Sequence, residues 1–238
     1  DDKIIRKANE EGSDYLTAKV NVHNPSGETI TEIKVKDLTC DILGQTYQNG
    51  QSEVMIRLYN PIKYVSNYSV LSITTKGAYN IPYTRTFEEN ERTFPVDLYR
   101  EINSIQDWKQ INNSPTENYM LMTDLDFVNE GSTIKISNKY SGKLEGNGHT
   151  LKNLKLGSSL FQSLSGRIHN VKFENVTFDN GVSYALILNS DRNAVLDQIL
   201  VKNITADIEE MTEVLGGVVA TANASTIRNC FVNGFKVE

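Results

Sequence analysis

The sequence has few of the residues that mark cross-linked, membrane-spanning or nucleic-acid-binding proteins. Only two cysteines, Cys40 and Cys230, occur in 238 residues, which excludes a disulfide-rich scaffold. Each lies in a strand-like context, so we expect two buried free thiols rather than a pair. No apolar run approaches the roughly 18 residues that cross a bilayer as a helix, so we expect no membrane span. The formal net charge of -6 argues against nucleic-acid binding, since such surfaces are basic.

Catalytic and metal-binding motifs are also lacking. The three histidines are His23, His149 and His169, and none lies in a His-Glu-x-x-His motif. A zinc site needs three or four converging ligands, and neither His149 nor His169 has a nearby Cys in the sequence. A nucleophile elbow is absent as well. We therefore expect no metal, no other cofactor and no enzyme activity in this chain.

A short apolar pattern recurs in the last third of the chain. It consists of an apolar residue, a polar residue, a residue that is usually Asn, and then alternating apolar positions. The four copies lie at 151–156, 168–173, 196–201 and 227–232. Their first apolar residues are 17, 28 and 31 positions apart. A short recurring strand with variable inserts is typical of a solenoid, in which stacked copies bury a common core.

Further apolar segments accompany this repeat. Three copies continue into a second segment, at 175–178, 203–206 and 234–237. Another apolar patch precedes each of the last three copies, at 160–161, 184–188 and 216–220. Several short strands per repeat predict a right-handed parallel β-helix or a close relative over residues 101–238.

Asparagine marks the corners of the predicted coils. The residues are Asn153, Asn170, Asn175, Asn203 and Asn229. Asn tolerates left-handed backbone, and stacked Asn side chains can bond to one another as a ladder. A sugar-binding or metal-binding Asn row is the functional alternative. We prefer the structural ladder because the Asn residues follow the phase of the repeat.

Residues 1–100 have a different pattern. Short alternating strands are separated by turns such as Asn24-Pro25-Ser26-Gly27 and by Asn49-Gly50, a strong hairpin signal. About six strands without a helical period predict a small β-sandwich of the immunoglobulin or fibronectin type. The chain is therefore predicted to be all-β, with one sandwich and one solenoid.

One helix is predicted between the two parts, at residues 104–112. Ser104 can cap it, and Asp107 follows three residues later in an arrangement that resembles a capping box. The helix carries Trp108, the single tryptophan. It is well placed to cover the open end of the solenoid, which would otherwise expose apolar groups and unpaired strand edges.

Two pairs of acidic residues are candidates for binding. Asp124 and Asp126 would project from one face of an extended entry strand, where they could bind calcium or act in glycoside hydrolysis. We prefer polar turn-end residues for them. Glu209 and Glu210 lie in an acidic segment at 207–214 that differs from the repeat and is predicted to be an insertion on one side of the solenoid.

Three stretches carry a resemblance to a known family. They are 105–127 with its Asp124-Leu125-Asp126-Phe127, the turn at 146–154, and 216–220 together with 227–232. The last resembles the GLUG repeat of bacterial surface proteins. The order over residues 100–238 resembles the non-catalytic region upstream of the protease domain in streptococcal immunoglobulin A proteases and related Gram-positive zinc metallopeptidases. The resemblance implies a secreted or wall-attached protein whose zinc site lies outside this sequence.

These observations lead to several functional hypotheses. We expect a monomeric recognition or spacer module whose partner is a protein substrate or host glycoprotein, such as immunoglobulin A. The starting Asp1-Asp2-Lys3 and the lack of an end cap after Val237 suggest a piece of a longer protein. An adhesin or phage-tail module is one alternative. A β-helix enzyme acting on carbohydrate is another, with Asp124 and Asp126 as its acids.

Overall fold

The computed structural model describes residues 15–35, 38–59, 70–88, 97–179, 183–206 and 214–237. These residues form an almost entirely β structure with one short α-helix among them. The chain divides into two compact units, residues 1–100 and 101–238. The predicted all-β class is confirmed: a small sheet region is followed by a β-solenoid of about four turns.

The described part of the first unit contains seven strands in two antiparallel sheets. The strands are β1 (Tyr15–His23), β2 (Thr29–Val35), β3 (Leu38–Thr39), β4 (Asp41–Gln48), β5 (Gln51–Tyr59), β6 (Val70–Lys76) and β7 (Pro82–Thr86). One sheet has the order β1-β5-β4, and the other has the order β3-β2-β6-β7. Both sheets contribute to one buried cluster, which includes Ala18, Ile33, Ile56 and Ile73.

Local chemistry explains how this sheet region turns. β4 ends at Gln48 and β5 begins at Gln51, so Asn49 and Gly50 form a two-residue hairpin loop. Both have positive φ, 51° and 77°, as a tight loop of this kind requires. In β5 the side chains of Val54, Ile56 and Leu58 are buried, and the residues between them are more exposed. This alternation places one face of the strand in the core.

The boundary between the units falls within strand β8 (Arg100–Ile102), and helix α1 (Ile105–Lys109) follows in the second unit. The remaining strands are β9 (Tyr119–Leu121), β10 (Leu125–Asp126), β11 (Lys143–Glu145), β12 (Thr150–Leu156), β13 (Phe161–Leu164), β14 (Arg167–Phe178), β15 (Ser183–Tyr184), β16 (Ile187–Ser190), β17 (Val195–Ala206), β18 (Val214–Leu215), β19 (Val219–Ala222), β20 (Thr226–Arg228) and β21 (Phe231–Val237). Short 3-10 helices occupy Gln110–Asn112 and Gly131–Ile134.

Successive coils stack in parallel register. One column of paired residues is Leu151, Phe173, Val201 and Val232, and a second is Leu154, Val176, Ile204 and Phe235. The patches predicted before each repeat form a separate parallel sheet with the order β13-β16-β19. In the coils before β20 and β21, the apolar residues of these sheets share one buried cluster. A single strand cannot bury its apolar row, and the stacked coils bury it together.

The predicted alignment of the first repeat copy is wrong. The repeat pattern aligns Leu151 with Ile168, but in the structure Leu151 pairs with Phe173, the last residue of that copy. The residue that pairs with Ile168 on the preceding coil is Leu144. The coil that carries the first predicted copy therefore begins at β11, one coil after β9 and β10, and the 17-residue interval between Leu151 and Ile168 does not measure one coil.

The helix at the start of the solenoid is shorter than predicted. The α-helix spans Ile105–Lys109, and a 3-10 turn completes the predicted 104–112 segment. Ser104 is the N-cap, and its Oγ accepts a hydrogen bond from the Asp107 backbone. Trp108 is fully buried, and its Nε1 donates to the Ile134 carbonyl at 2.8 Å. The helix thus packs Trp108 into the core at this end of the solenoid.

Candidate functional site

Asp124 and Asp126 do not lie on one extended strand as predicted. β9 ends at Leu121 and β10 begins at Leu125, so the chain bends just before the pair and Asp124 lies outside a strand. The two carboxylates have different partners on the next coil. This arrangement does not make them a matched pair of acids on one face.

Each of the two carboxylates bonds to the coil that follows. Asp124 Oδ1 accepts from the Thr150 backbone at 2.9 Å and lies 3.1 Å from His149 Nδ1. The Thr150 bond, followed by His149, lowers the pKa of Asp124 below its ordinary value. The carboxylates are thus held ionised as acceptors for inter-coil hydrogen bonds.

Asp126 is the first member of an asparagine ladder. Its Oδ1 accepts from Asn153 Nδ2 at 2.8 Å, and this bond is the main cause of its lowered pKa. Asn175 Nδ2 donates to Asn153 Oδ1 at 3.1 Å, and Asn203 Nδ2 donates to Asn175 Oδ1 at 3.1 Å. Gly234 occupies the equivalent place in the last coil, since its neighbour Phe235 pairs with Ile204. The amides thus link four coils.

The other two predicted ladder residues belong to a different column. Asn170 and Asn229 occupy another corner of the coil, and Gln198 lies between them. All three have positive φ, between 52° and 57°. Asn229 Nδ2 donates to Asp197 Oδ1 at 3.0 Å rather than to an amide of the neighbouring corner. The five Asn residues therefore divide between two corners of the coil.

A column of charged side chains adjoins this second corner. Glu145, His169, Asp197 and Arg228 are register neighbours on four successive coils. His169 Nδ1 lies 2.6 Å from Glu145 Oε2, and Arg228 donates to Asp197 Oδ2 at 2.9 Å. Glu145 and Asp197 are buried. Acid and base alternate along the stack, so each carboxylate is adjacent to a potential cation.

Asp197 is the most strongly engaged acid of this column. Hydrogen bonds from Arg228 and then from Asn229 hold its pKa below the ordinary value. Arg167 Nη2 also lies 3.6 Å from Asp197 Oδ2. This column was not among the sites predicted from the sequence. The sequence contains a signal for it, since each of these residues directly precedes a Gly, Asn or Gln at the same place in the repeat.

A second alternating column lies further along the same strands, on the outside of the coils. Asp126, Lys152, Glu174 and Lys202 are register neighbours in that order. The Lys152 ammonium lies 3.4 Å from Asp126 Oδ2. Opposite charges at neighbouring positions on paired strands favour that pairing. Charge alternation thus supports the stacking register on two faces of the coil.

The remaining predicted sites can be placed only in part. Glu209 and Glu210 lie outside the described residues. Within the described ranges, no group of three or more His, Cys, Asp or Glu side chains is arranged to hold a metal ion. Cys40 and Cys230 are both free thiols.

The described residues contain no helix that is long and apolar enough to cross a membrane.

Comparisons with known proteins identified no relative of this chain. Searches of protein-family models, of curated protein sequences and of solved structures found no significant match to this chain. The coil geometry and its polar columns therefore carry the functional argument.

Proposed function

We propose that this chain is a non-catalytic recognition or spacer module of a secreted or wall-attached bacterial protein, of the kind found upstream of the protease domain in immunoglobulin A proteases. The observation that supports this proposal is that the acidic side chains accept hydrogen bonds within the solenoid. Asp124, Asp126, Glu145 and Asp197 each bond to a group on the adjacent coil. Their role is to hold the stack together.

The outer surface of the solenoid suits contact with a folded protein. Alternating signs along the Asp126 to Lys202 column leave no long run of one charge. Such a surface does not favour a polyanion, which requires a basic patch. It fits a protein or glycoprotein partner, recognised through shape and dispersed polar contacts.

Binding and cleavage can be tested in one experiment with immunoglobulin A. We expect saturable binding of the 238-residue chain to immobilised immunoglobulin A and an intact heavy chain after prolonged incubation. The double variant Lys172→Glu, Lys202→Glu alters two exposed cations of the solenoid and should weaken binding at least tenfold. Lys76→Glu, an exposed cation of the first unit, is the matched control and should leave binding unchanged.

One result would contradict the proposal, and another would narrow it to the spacer role. Cleavage of immunoglobulin A or of a glycan that is abolished by Asp124→Asn or Asp126→Asn, with the fold retained, would make this chain an enzyme. Absence of binding to immunoglobulin A and to other host glycoproteins would exclude the recognition role and leave only a spacer.

A further inference from the structure

Three turns meet at one end of the first unit. They are the β1–β2 turn (24–28), the β4–β5 hairpin loop (49–50) and the β6–β7 turn (77–81), which we call together the turn face. The Asn24 backbone donates to the Gly50 carbonyl at 2.8 Å, which joins the first turn to the second. Glu28 joins the first turn to the third. Its Oε2 accepts from Thr75 Oγ1 at 2.5 Å, and a Cβ on Gly77 would lie 3.0 Å from its Oε1.

Three exposed tyrosines belong to the turn face or border it. Tyr79 lies within the third turn and is 89 % exposed. Tyr83 is 67 % exposed and pairs directly with Thr75, so the two side chains lie on the same face of their sheet. Tyr47 is 52 % exposed, and its ring lies close over Gly27, where a Cβ would be 3.1 Å from Tyr47 Cζ. All three rings are therefore attached to one small surface.

The polar groups of the turn face are mostly neutral amides and hydroxyls. Exposed amide side chains are supplied by Asn49 in the second turn and by Asn80 in the third. Glu28 is the only charged residue in the three turns, and its Oε2 already accepts from Thr75. A charged ligand would meet no counter-charge in the turns. Neutral hydrogen-bonding groups beside aromatic rings suit a neutral ligand that is rich in hydroxyl groups.

Sugar rings have this chemistry. A pyranose with equatorial substituents presents C–H groups on its two faces and hydroxyl groups around its rim. The C–H faces stack on the electron-rich face of a tyrosine ring, while the rim bonds to amides. A stable protein partner would instead need roughly 800 Å² of surface with a continuous apolar centre. The three tyrosines project from different turns and strands and lie among polar residues, which favours separate sugar rings over one protein patch.

We propose that the turn face binds a neutral glycan that contains N-acetylhexosamine, with sugar rings stacked on Tyr79 and Tyr83. Ile81, 71 % exposed in the same turn as Tyr79, supplies a contact for the methyl of an N-acetyl group. The turns form a preformed support, since the buried Asn24 donates from its Nδ2 to Ser52 Oγ at 2.9 Å and to a carbonyl of its own turn. This binding goes beyond the recognition proposed for the solenoid and does not depend on it.

Isothermal titration of the full 238-residue chain with chitohexaose tests the proposal. Cellohexaose is the matched probe, because it has the same linkage and equatorial substituents but lacks the acetamido groups. Hexagalacturonate is the charged control. We expect saturable binding of chitohexaose, weaker binding of cellohexaose and no binding of hexagalacturonate. Amide NMR shifts should change at Asn49 and Asn80 when chitohexaose is bound.

Variants of the exposed side chains locate the site. Tyr79→Ala and Tyr83→Ala should each weaken chitohexaose binding by about tenfold or more, because each removes a stacking ring. Tyr79→Phe keeps the ring and should bind nearly as tightly as the wild type. Ile81→Ser should remove the preference for chitohexaose over cellohexaose. Leu43→Ala alters an exposed apolar residue of β4 outside the turns, so it is the matched control and should change nothing.

Three results would overturn the proposal. One is the absence of saturable chitohexaose binding by the wild type. Another is an unchanged Kd in folded Tyr79→Ala and Tyr83→Ala, or NMR shift changes confined to residues outside the turn face, which would place the sugar elsewhere. The last is binding of cellohexaose or hexagalacturonate as tight as that of chitohexaose.

One further result would assign the turn face to a protein instead. It is binding of enzymatically deglycosylated immunoglobulin A that Tyr79→Ala weakens, in a chain that does not bind chitohexaose. Loss of immunoglobulin A binding in the Lys172→Glu, Lys202→Glu variant has no bearing on the turn face, because chitohexaose is titrated as a free sugar. The two proposals can therefore fail separately.

Discussion

Asn203 donates a hydrogen bond from its Nδ2 to Oδ1 of Asn175 on the preceding coil, over 3.1 Å. Both residues have φ of 56°, the left-handed conformation that Asn tolerates better than most residues. The same side chain thus permits the corner and bonds to the next corner. Each coil is tied to its neighbour by this contact as well as by the backbone ladder.

Replacing Asn175 should separate these two contributions. Asn175→Ala loses both ladder bonds and places in left-handed backbone a residue that lacks the short polar side chain of Asn, so we expect a loss of about 2–3 kcal/mol in the free energy of unfolding. Asn175→Gly loses the bonds but tolerates the backbone, so its loss should be about 1 kcal/mol smaller. Urea denaturation measures both. Equal losses would show that the backbone conformation contributes nothing.

Two glycines at the ends of strands should respond differently to substitution. A Cβ on Gly166 would lie 1.9 Å from the Gly142 carbonyl oxygen, whereas a Cβ on Gly157 would meet only the Asp179 carbonyl oxygen at 3.7 Å. Gly166→Ala should therefore lower the free energy of unfolding by about 3 kcal/mol or more, because the backbone of the adjacent coil must move. Gly157→Ala should change stability by less than about 1 kcal/mol. Similar thermal midpoints for the two variants would contradict the close stacking at Gly166.

Stability should fall in acid through Asp197. Its pKa is lowered in the folded protein by Arg228 and Asn229, so the unfolded chain takes up a proton first as the pH falls. The stabilisation is complete above the unfolded pKa of about 3.9 and is lost as the pH falls through the lower folded pKa. The urea midpoint of the wild type should therefore drop over this range, while that of Asp197→Asn should drop less. Parallel curves would exclude Asp197 as a source of the effect.

Trp108 should report on the solenoid alone. It is the single tryptophan, is fully buried, and packs edge-on against Phe127 and Phe161 at about 6 Å. Native emission should be blue-shifted and should move to the red when the second unit unfolds. Trp108→Phe removes the hydrogen bond to the Ile134 carbonyl and leaves a void. We therefore expect the free energy of unfolding, measured by circular dichroism, to fall by about 2–3 kcal/mol. Solvent-like native emission would contradict the burial of this helix.

The two thiols should differ in reactivity. Burial raises the pKa of Cys40 to about 12, and burial also raises the pKa of the less enclosed Cys230. Because the thiolate is the reactive form, Cys230 should react first with a thiol reagent, and Cys40 only after unfolding. Cys230→Ser should leave no fast phase in the native protein. A fast phase that persists in this variant would place Cys40 nearer the surface.

Local sequence features predicted several elements correctly because their causes are local. The Asn49-Gly50 hairpin follows from the backbone preferences of two adjacent residues. The stacked strands of the last three repeat copies follow from periodic apolar positions. The Ser104 cap follows from a hydroxyl placed next to the first helical turn. None of these needs knowledge of distant residues.

The tertiary structure decided which distant residues meet. It thereby decided which charged and amide side chains lie next to one another in the polar columns. Inserts between strands differ in length, so Leu144, Ile168, Leu196 and Ile227 form one column at unequal intervals. The pattern around Leu151 fits two registers almost equally well, and only the inter-coil turns and the packed core select its pairing with Phe173. That choice brings Glu145 beside His169 and places Asp126 at the start of the Asn ladder. The sequence by itself determined that coils would form, and packing between the coils determined which charges and amides they share.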